Sequence, residues 1–455
     1  MKKECISCLD FLDEYRDRLY VAGGPVRDLF LGRETPDVDI VVPRALGGLP
    51  AEFAKGTGGR YVLLHDEKNQ LTERVVIKGE PPCVFDFTRM QGASIAEDLS
   101  LRDFSINAMA LTLGDWLEGR KDRLIDPHGG RRAIRERRVS VVSGRSLPGD
   151  PLRILRAYRL AAELRFRICP DTLQQIRVHR HLLKEASGER IREEFFRILS
   201  CLPSHPIVVE MDRAGILEVL FPGVRAMKEE GRTRICGADP WKQALARLRA
   251  IETLMGSKED YFGRYAGELG NYLDEEVAGG RRKAALIKLA VVFFVDSPAG
   301  ASAEKVPGDA VLRLKLSRRE DVFLRMIPRR LRELDALFRA ERVSRRDAAL
   351  FFSGNESDYP GLFLLYLAGA AAFRKAALRD EKEKILKMLL WHEKEIGPAL
   401  QSPPLVDGRD LMDFFHLKPG PVVGRVLRAL REAQLEGTVG NRRQALALAG
   451  KLLKK

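Results

Sequence analysis

The sequence predicts an α+β protein, with a small mixed β-sheet in an N-terminal head and an all-α remainder. Three observations predict it. Short runs rich in β-branched and aromatic residues fill the first ninety positions: residues 19–22, DVDIVV (37–42), RYVLLH (60–65), RVVIK (74–78) and CVFDFT (83–88), with turn residues between them. From about residue 201 the chain reads as Leu/Ala-rich helix after helix, with breaks near Pro222, Gly256, Pro298–Gly300, Pro307 and Gly354. A chain of 455 residues, 45% hydrophobic and 31% charged, has the composition of a soluble globular protein and room for about three domains.

Composition also narrows the function. A formal net charge of +14 favours a polyanionic partner. Six scattered cysteines (Cys5, Cys8, Cys83, Cys169, Cys201, Cys236) are too sparse for a disulfide framework, and Cys5-x-x-Cys8 reads as an incidental reduced pair. Seven histidines without an HExxH motif argue against histidine-based metal chemistry. The apolar run ALIKLAVVFFV (285–295) is too short to span a bilayer, and residues 1–15 form a short helix without a signal-peptide core. The expected location is the cytoplasm, with no membrane contact.

The chain is organised around LYVAGGPVRDLFLGRETPDVDIVV (19–42), in which a strand enters Gly23-Gly24, a short helix carries Arg27, and a second strand holds Asp37 and Asp39. Two residues apart on a strand, the carboxylates point to one face, where they can share a divalent metal. The diglycine turn offers bare N–H groups to a phosphate. GGPVRDLFLG followed by DVDI resembles the first motif of the nucleotidyltransferase superfamily. The form is that of class II tRNA nucleotidyltransferases (CCA-adding enzymes) and the related bacterial poly(A) polymerases.

Later segments match that family in order. Asp86, between Phe85 and Phe87, is a third strand acid: either a further metal ligand or an edge carboxylate. SIAEDLSLRDFSINAMAL (94–111) resembles the second motif. Its first arginine is replaced by Leu101, while Arg102, Asp103 and Asn107 remain to contact the triphosphate, orient it and bond the sugar. The structural alternative is a helix capped by Asp103 or Ser105. Between Arg89 and Ser94 the chain is brief, where many full CCA-adding members carry a longer flexible loop; brevity resembles members that add only the two cytidines. LIDPHGG (124–130) resembles a structural connector, hinged on Pro127, Gly129 and Gly130, with Ala133 at a position where the family often has aspartate.

GDPLRILRAYRLAAELRFRI (149–168) resembles the nucleotide-selecting motif, usually Glu-Asp-x-x-Arg; Gly149 stands where the glutamate belongs, and Asp150 and Arg153 are kept. An aspartate only accepts hydrogen bonds and an arginine only donates. Cytosine and adenine each set an exocyclic amino donor beside a ring-nitrogen acceptor, so an Asp/Arg pair satisfies either. Guanine and uracil present the reverse order and are rejected. Arg156 and Arg159 follow at i+3 and i+6 from Arg153 and are expected to meet the triphosphate. SGERIREEFFRILS (187–200) resembles a structural helix to which no chemistry is assigned. Residues 281–300 resemble a segment where some relatives carry a His-Asp metal pair, but no histidine precedes Asp296. Residues 403–439, with Arg425, Arg428 and Arg431, suit a backbone grip on folded RNA.

The resemblance implies an elongated molecule: a catalytic head (1–145), helical neck (146–200), helical body (201–340) and RNA-binding tail (341–455). It implies template-independent addition of C and/or A from CTP and ATP to the 3′ end of tRNA. Asp37 and Asp39 would hold two magnesium ions. A poly(A) polymerase and a non-catalytic RNA-binding protein are the alternatives. The oligomeric state is not determined by the sequence.

Overall fold

The computed structural model describes residues 3–35, 37–67, 70–80, 82–233, 239–293, 305–340 and 342–453. They divide into two compact units, 1–201 with 206–220, and 202–205 with 221–455. The expected break at Pro298–Gly300, Asp296 and Cys236 lie outside the described residues.

The first unit is built on a six-stranded sheet. Its strands are β1 (Tyr20–Ala22), β2 (Asp37–Val42), β3 (Arg60–Glu67), β4 (Gln70–Ile77), β5 (Cys83–Arg89) and β6 (Ala110–Thr112), in the order β3-β4-β5-β2-β1-β6. The pair β2–β5 is parallel and the others antiparallel, so the sheet is mixed as expected. Alternation decides its two faces. Val38, Ile40, Phe85 and Phe87 are buried, and Phe53, from the helix Leu49–Thr57, meets the rings of Phe85 and Phe87 edge-on at 5.2 and 5.3 Å. The residues between them, Asp37, Asp39 and Asp86, are left for the opposite face.

Two glycines are obligatory. Gly23 has φ of 82°, in the left-handed region that side chains resist. A Cβ on Gly130 would stand 2.2 Å from the Ser105 carbonyl oxygen, so only glycine permits that approach. One correction arises. Cys5 and Cys83 form a disulfide, because folding brings Cα atoms 78 positions apart in the chain to 5.5 Å, which no spacing rule could detect. Within 149–168 a helix runs over Arg153–Leu164; Arg165 turns left-handed (φ 57°), and Arg167–Ile168 (β8) pairs in parallel with Arg138–Val139 (β7).

The second unit is helical, apart from an antiparallel ribbon of Glu276–Ala278 (β9) and Arg281–Arg282 (β10) that the helical reading did not anticipate. Its long helices include Pro240–Gly256, Arg318–Arg339 and Tyr359–Phe373. A buried ion pair ties its core: Lys288 Nζ lies 2.9 Å from Glu252, whose carboxylate also accepts the backbone N–H groups of Ser204 and His205 at 2.7 and 2.9 Å. Removing one member strands the other charge in low dielectric. Lys288→Met is therefore expected to cost about 3–5 kcal/mol, read as a lower midpoint in denaturant unfolding. An unchanged midpoint would show that the pair is solvated.

Candidate active site

On the polar face of the sheet lies a cleft of about 410 Å³. Gly23, Gly24 and Asp39 form one wall, and Asp98, Arg102, Asp103 and Asn107 another. Arg153 and Arg156 reach in from the helix Arg153–Leu164. Residues from four separated stretches of sequence thus meet.

Asp37 and Asp39 stand on one face of β2, Asp37 exposed and Asp39 half-buried. Burial pushes the Asp39 carboxyl up to about 6; Arg102 and Arg27 pull it down, and Asp86 and Asp37 push it up. Asp37 is also raised, by burial and by Asp86, against the pull of Arg74. Asp86 is the register partner of Asp39 across the parallel β2–β5 pair. Arg74 of β4 grips both its oxygens at 2.7 Å. A carboxylate occupied bidentately by a guanidinium is poorly placed as a metal ligand, and β5 is an inner strand, so Asp86 is neither an edge carboxylate nor free for a metal but the partner of Arg74. Among the described residues no group of three acidic, histidine or cysteine side chains is arranged to hold a metal.

The diglycine turn opens the helix Gly24–Leu31, which Gly32 closes in a left-handed conformation. Arg27 donates to both oxygens of Asp28, at 2.9 and 3.1 Å, and to Asn107 Oδ1 at 2.9 Å. Asn107 in turn donates to Asp103 Oδ1 at 3.3 Å. Arg102 donates from Nε to Asp98 at 3.3 Å, and its Nη1 lies 2.9 Å from where a Cβ on Gly23 would stand. The guanidinium therefore closes over the bare turn. Ser94 caps the helix Ile95–Ser100, accepting from Glu97 N–H at 3.3 Å; neither Asp103 nor Ser105 is a helix cap, and residues 105–107 form a single 3-10 turn.

Asp103 joins the head to the helix that follows. Burial disfavours its charge, but Arg156 at 3.1 Å, the Phe104 N–H and Asn107 hold its carboxyl below the ordinary value. Arg159 is the correction. It is buried, with Nε on Glu194 at 2.6 Å and Nη1 on Glu163 at 2.9 Å, and it does not line the cleft. Helical geometry is the reason: at about 100° per residue, position i+6 sits about 120° from position i, off the face shared by Arg153 and Arg156.

Asp150 and Arg153, the pair expected to read the base, are separately held, and Arg153 lines the cleft while Asp150 does not. Asp150 accepts from Leu152 N–H at 3.2 Å and from Arg190 Nη2 at 3.0 Å. Arg153 donates from Nη1 to the Ser146 carbonyl and from Nη2 to the Leu101 carbonyl, each at 3.2 Å. Arg190, Asp98 and Glu194, to which the sequence reading assigned no role, hold Asp150, Arg102 and Arg159, and of the three Asp98 lines the cleft. Only Asp98 left a local signal, its i,i+4 spacing to Arg102.

Comparison with known proteins gives concordant matches. Residues 19–140 match the poly A polymerase head domain, 165–228 a probable RNA- and SrmB-binding site of polymerase A, and 377–449 a putative second domain of tRNA nucleotidyltransferases. A CC-adding tRNA nucleotidyltransferase of Geobacter sulfurreducens is 34% identical over 94% of this chain and 90% of its own. The chain belongs to the tRNA nucleotidyltransferase family. A CC-adding member from Synechocystis and an A-adding member from Deinococcus radiodurans are each 28% identical, over 95% and 94% of this chain and 93% and 94% of their own. A solved CCA-adding enzyme with CTP shares the fold, with a TM-score of 0.68 at 23% identity over 100% of this chain and 97% of its own. As a nucleotidyltransferase of this family, the protein is an enzyme, and no described helix is long and apolar enough to cross a membrane.

The raised Asp39 has a definite sign. An acid whose folded pKa exceeds its unfolded value makes the metal-free fold less stable as pH rises through the interval between them. Asp39→Asn is thus expected to raise the metal-free melting temperature at pH 7 by up to the equivalent of about 2–3 kcal/mol, with the gain vanishing near pH 4. Equal melting of the two proteins at pH 7 would contradict the burial of that charge.

Proposed function

We propose that this enzyme adds cytidines from CTP to the 3′ end of tRNA, releasing pyrophosphate, and stops before the terminal adenosine. The observation carrying the last clause is the connection from β5 to the helix Ile95–Ser100. It comprises Met90–Ser94, with Gln91 N–H donating to Asp98 at 2.9 Å and Ala93 N–H donating to Glu97 at 2.8 Å. A segment so short and so pinned cannot swing over the cleft, whereas many full CCA-adding members of the family it resembles have a longer flexible loop there. Two of the relatives, from Geobacter and Synechocystis, carry the CC-adding name, which supports the same reading.

Asp37 and Asp39 fit magnesium. Mg²⁺ is commonly held by one or two carboxylates, its octahedron being completed by water and substrate phosphates, so neither Asp86 nor a third protein ligand is required. Bound there, magnesium would neutralise triphosphate charge and favour the ionised 3′-hydroxyl. The chain's own residues do the positioning that dominates phosphoryl-type transfer. The Gly23–Gly24 turn admits phosphate oxygens to backbone N–H groups. Arg102, held by Asp98, and Arg156, held by Asp103, oppose the developing charge on the leaving pyrophosphate. Asn107, fixed between Arg27 and Asp103, stands ready to bond the sugar. Asp150 and Arg153 read the base.

The test is to offer purified protein tRNA ending at the discriminator base, at C or at CC, with each nucleotide and magnesium, reading products at single-base resolution. CMP should extend the first two ends, and ATP should leave the CC end unextended. A single AMP added there would make the enzyme CCA-adding, and a long ATP-dependent tail would make it a poly(A) polymerase. Asp39→Ala should cut CMP incorporation on the order of a thousandfold; undiminished incorporation would remove Asp39 from the chemistry.

A further inference from the structure

We propose that Arg74 holds Asp86 out of the metal site, so that the site offers two carboxylates and retains magnesium only when a nucleoside triphosphate supplies the rest of its ligands. The inference rests on the nucleotidyl-transfer reading above and names the residue that ties metal loading to the substrate.

Strand pairing by itself would assemble three acids. Asp39 on β2 and Asp86 on β5 are register partners on one face of the sheet, and Asp37 lies two residues away on that face. Neighbouring strands stand about 4.8 Å apart, and magnesium holds its oxygens at about 2.1 Å, so carboxylates at such positions can converge on one ion. Arg74 prevents it. It is the register partner of Asp86 on the other flank, across the β4–β5 pair, and its Nε and Nη2 each donate to one Asp86 oxygen at 2.7 Å. The two bonds are short, parallel and charge-assisted, the geometry in which a guanidinium holds a carboxylate most firmly. Because β5 lies between β4 and β2, that grip turns Asp86 away from Asp39. Among the described residues no three acidic side chains are gathered for a metal.

The number of acids decides when the ion binds. In sites built of oxygen ligands, affinity is tuned by the charge and count of those ligands. Two carboxylates balance one divalent cation and leave most of its octahedron to water and phosphate oxygens. A third would hold the ion before any nucleotide arrived and would leave the loaded site negative toward a polyanionic substrate. Arg74 does not line the cleft, so it is a positioning residue that acts through Asp86. Its strand is paired along both sides, with β3 and with β5, which fixes the fork relative to the carboxylate it holds.

The experiment measures the affinity of the full chain for Mg²⁺ and for Mn²⁺ by calorimetry at pH 8, without nucleotide, in the wild type, Arg74→Met and Arg74→Met/Asp86→Asn. Arg74→Met releases Asp86 and is expected to bind either ion about tenfold to a hundredfold tighter than the wild type. The double variant removes the released acid as well and should return to the wild-type affinity. General damage to the head would weaken ion binding, so a tighter site is a change that a merely structural Arg74 cannot produce. Arg74→Lys keeps the charge without the fork and serves if Arg74→Met does not fold; it too should bind more tightly than the wild type. Ion binding no tighter than wild type in the folded single variant overturns the inference; so does a double variant that keeps the gain. Wild-type protein that transfers no nucleotide with magnesium present would instead overturn the parent reading, and the inference with it.

Discussion

The parallel pairing of β2 with β5 is the constraint from which the site follows. Its register sets Val38 beside Phe85 and Ile40 beside Phe87, and these four buried residues must face the helix that carries Phe53. Because a strand alternates, Asp37, Asp39 and Asp86 are then obliged to share the other face. A slip of β2 by one residue would bury Asp37 and Asp39, and a slip of β5 would bury Asp86 and expose Phe85 and Phe87, so hydrophobic burial and acid placement enforce one register. The acids crowd one another as a result. Arg74 absorbs the charge of Asp86, and Asp39 keeps a raised pKa in the polar cleft, poised to be relieved by a cation.

A second set of charges fastens the helix Arg153–Leu164 to the head. Arg156 bridges Asp103 and Glu194, and Arg159 bridges Glu194 and Glu163. These pairs are mostly shielded from solvent, so breaking one leaves a charge that cannot be rehydrated cheaply. Their consequence is positional. Arg153 and Arg156 arrive at the cleft on a helix whose rotation is fixed from behind by Arg159. The arginine expected to meet the triphosphate is instead the anchor of that helix.

Much of the site was legible because its signals are local. The strand alternation of DVDI, the diglycine before a short helix, and the spacing of Arg102, Asp103 and Asn107 are short-range patterns, and the structure gathers them around one cleft. What was misread depended on distance or rotation. Arg159 was placed by counting along the chain rather than around the helix axis. Asp86 stayed open between two roles until β4 brought Arg74 beside it. Arg190 gave no sign of a role, since its partnership with Asp150 spans 40 positions.

By itself the sequence determined which residues could do chemistry, and that the protein pairs a mixed sheet with helices, because alternation, glycine punctuation and side-chain type act within a few residues of one another. Only the tertiary structure decided which of those groups face the cleft and which are spent on holding it together. A carboxylate or guanidinium has no fixed role until a partner from elsewhere in the chain takes its hydrogen-bonding capacity or leaves it open. The Cys5–Cys83 bond and the Arg74 grip on Asp86 are both facts of that kind.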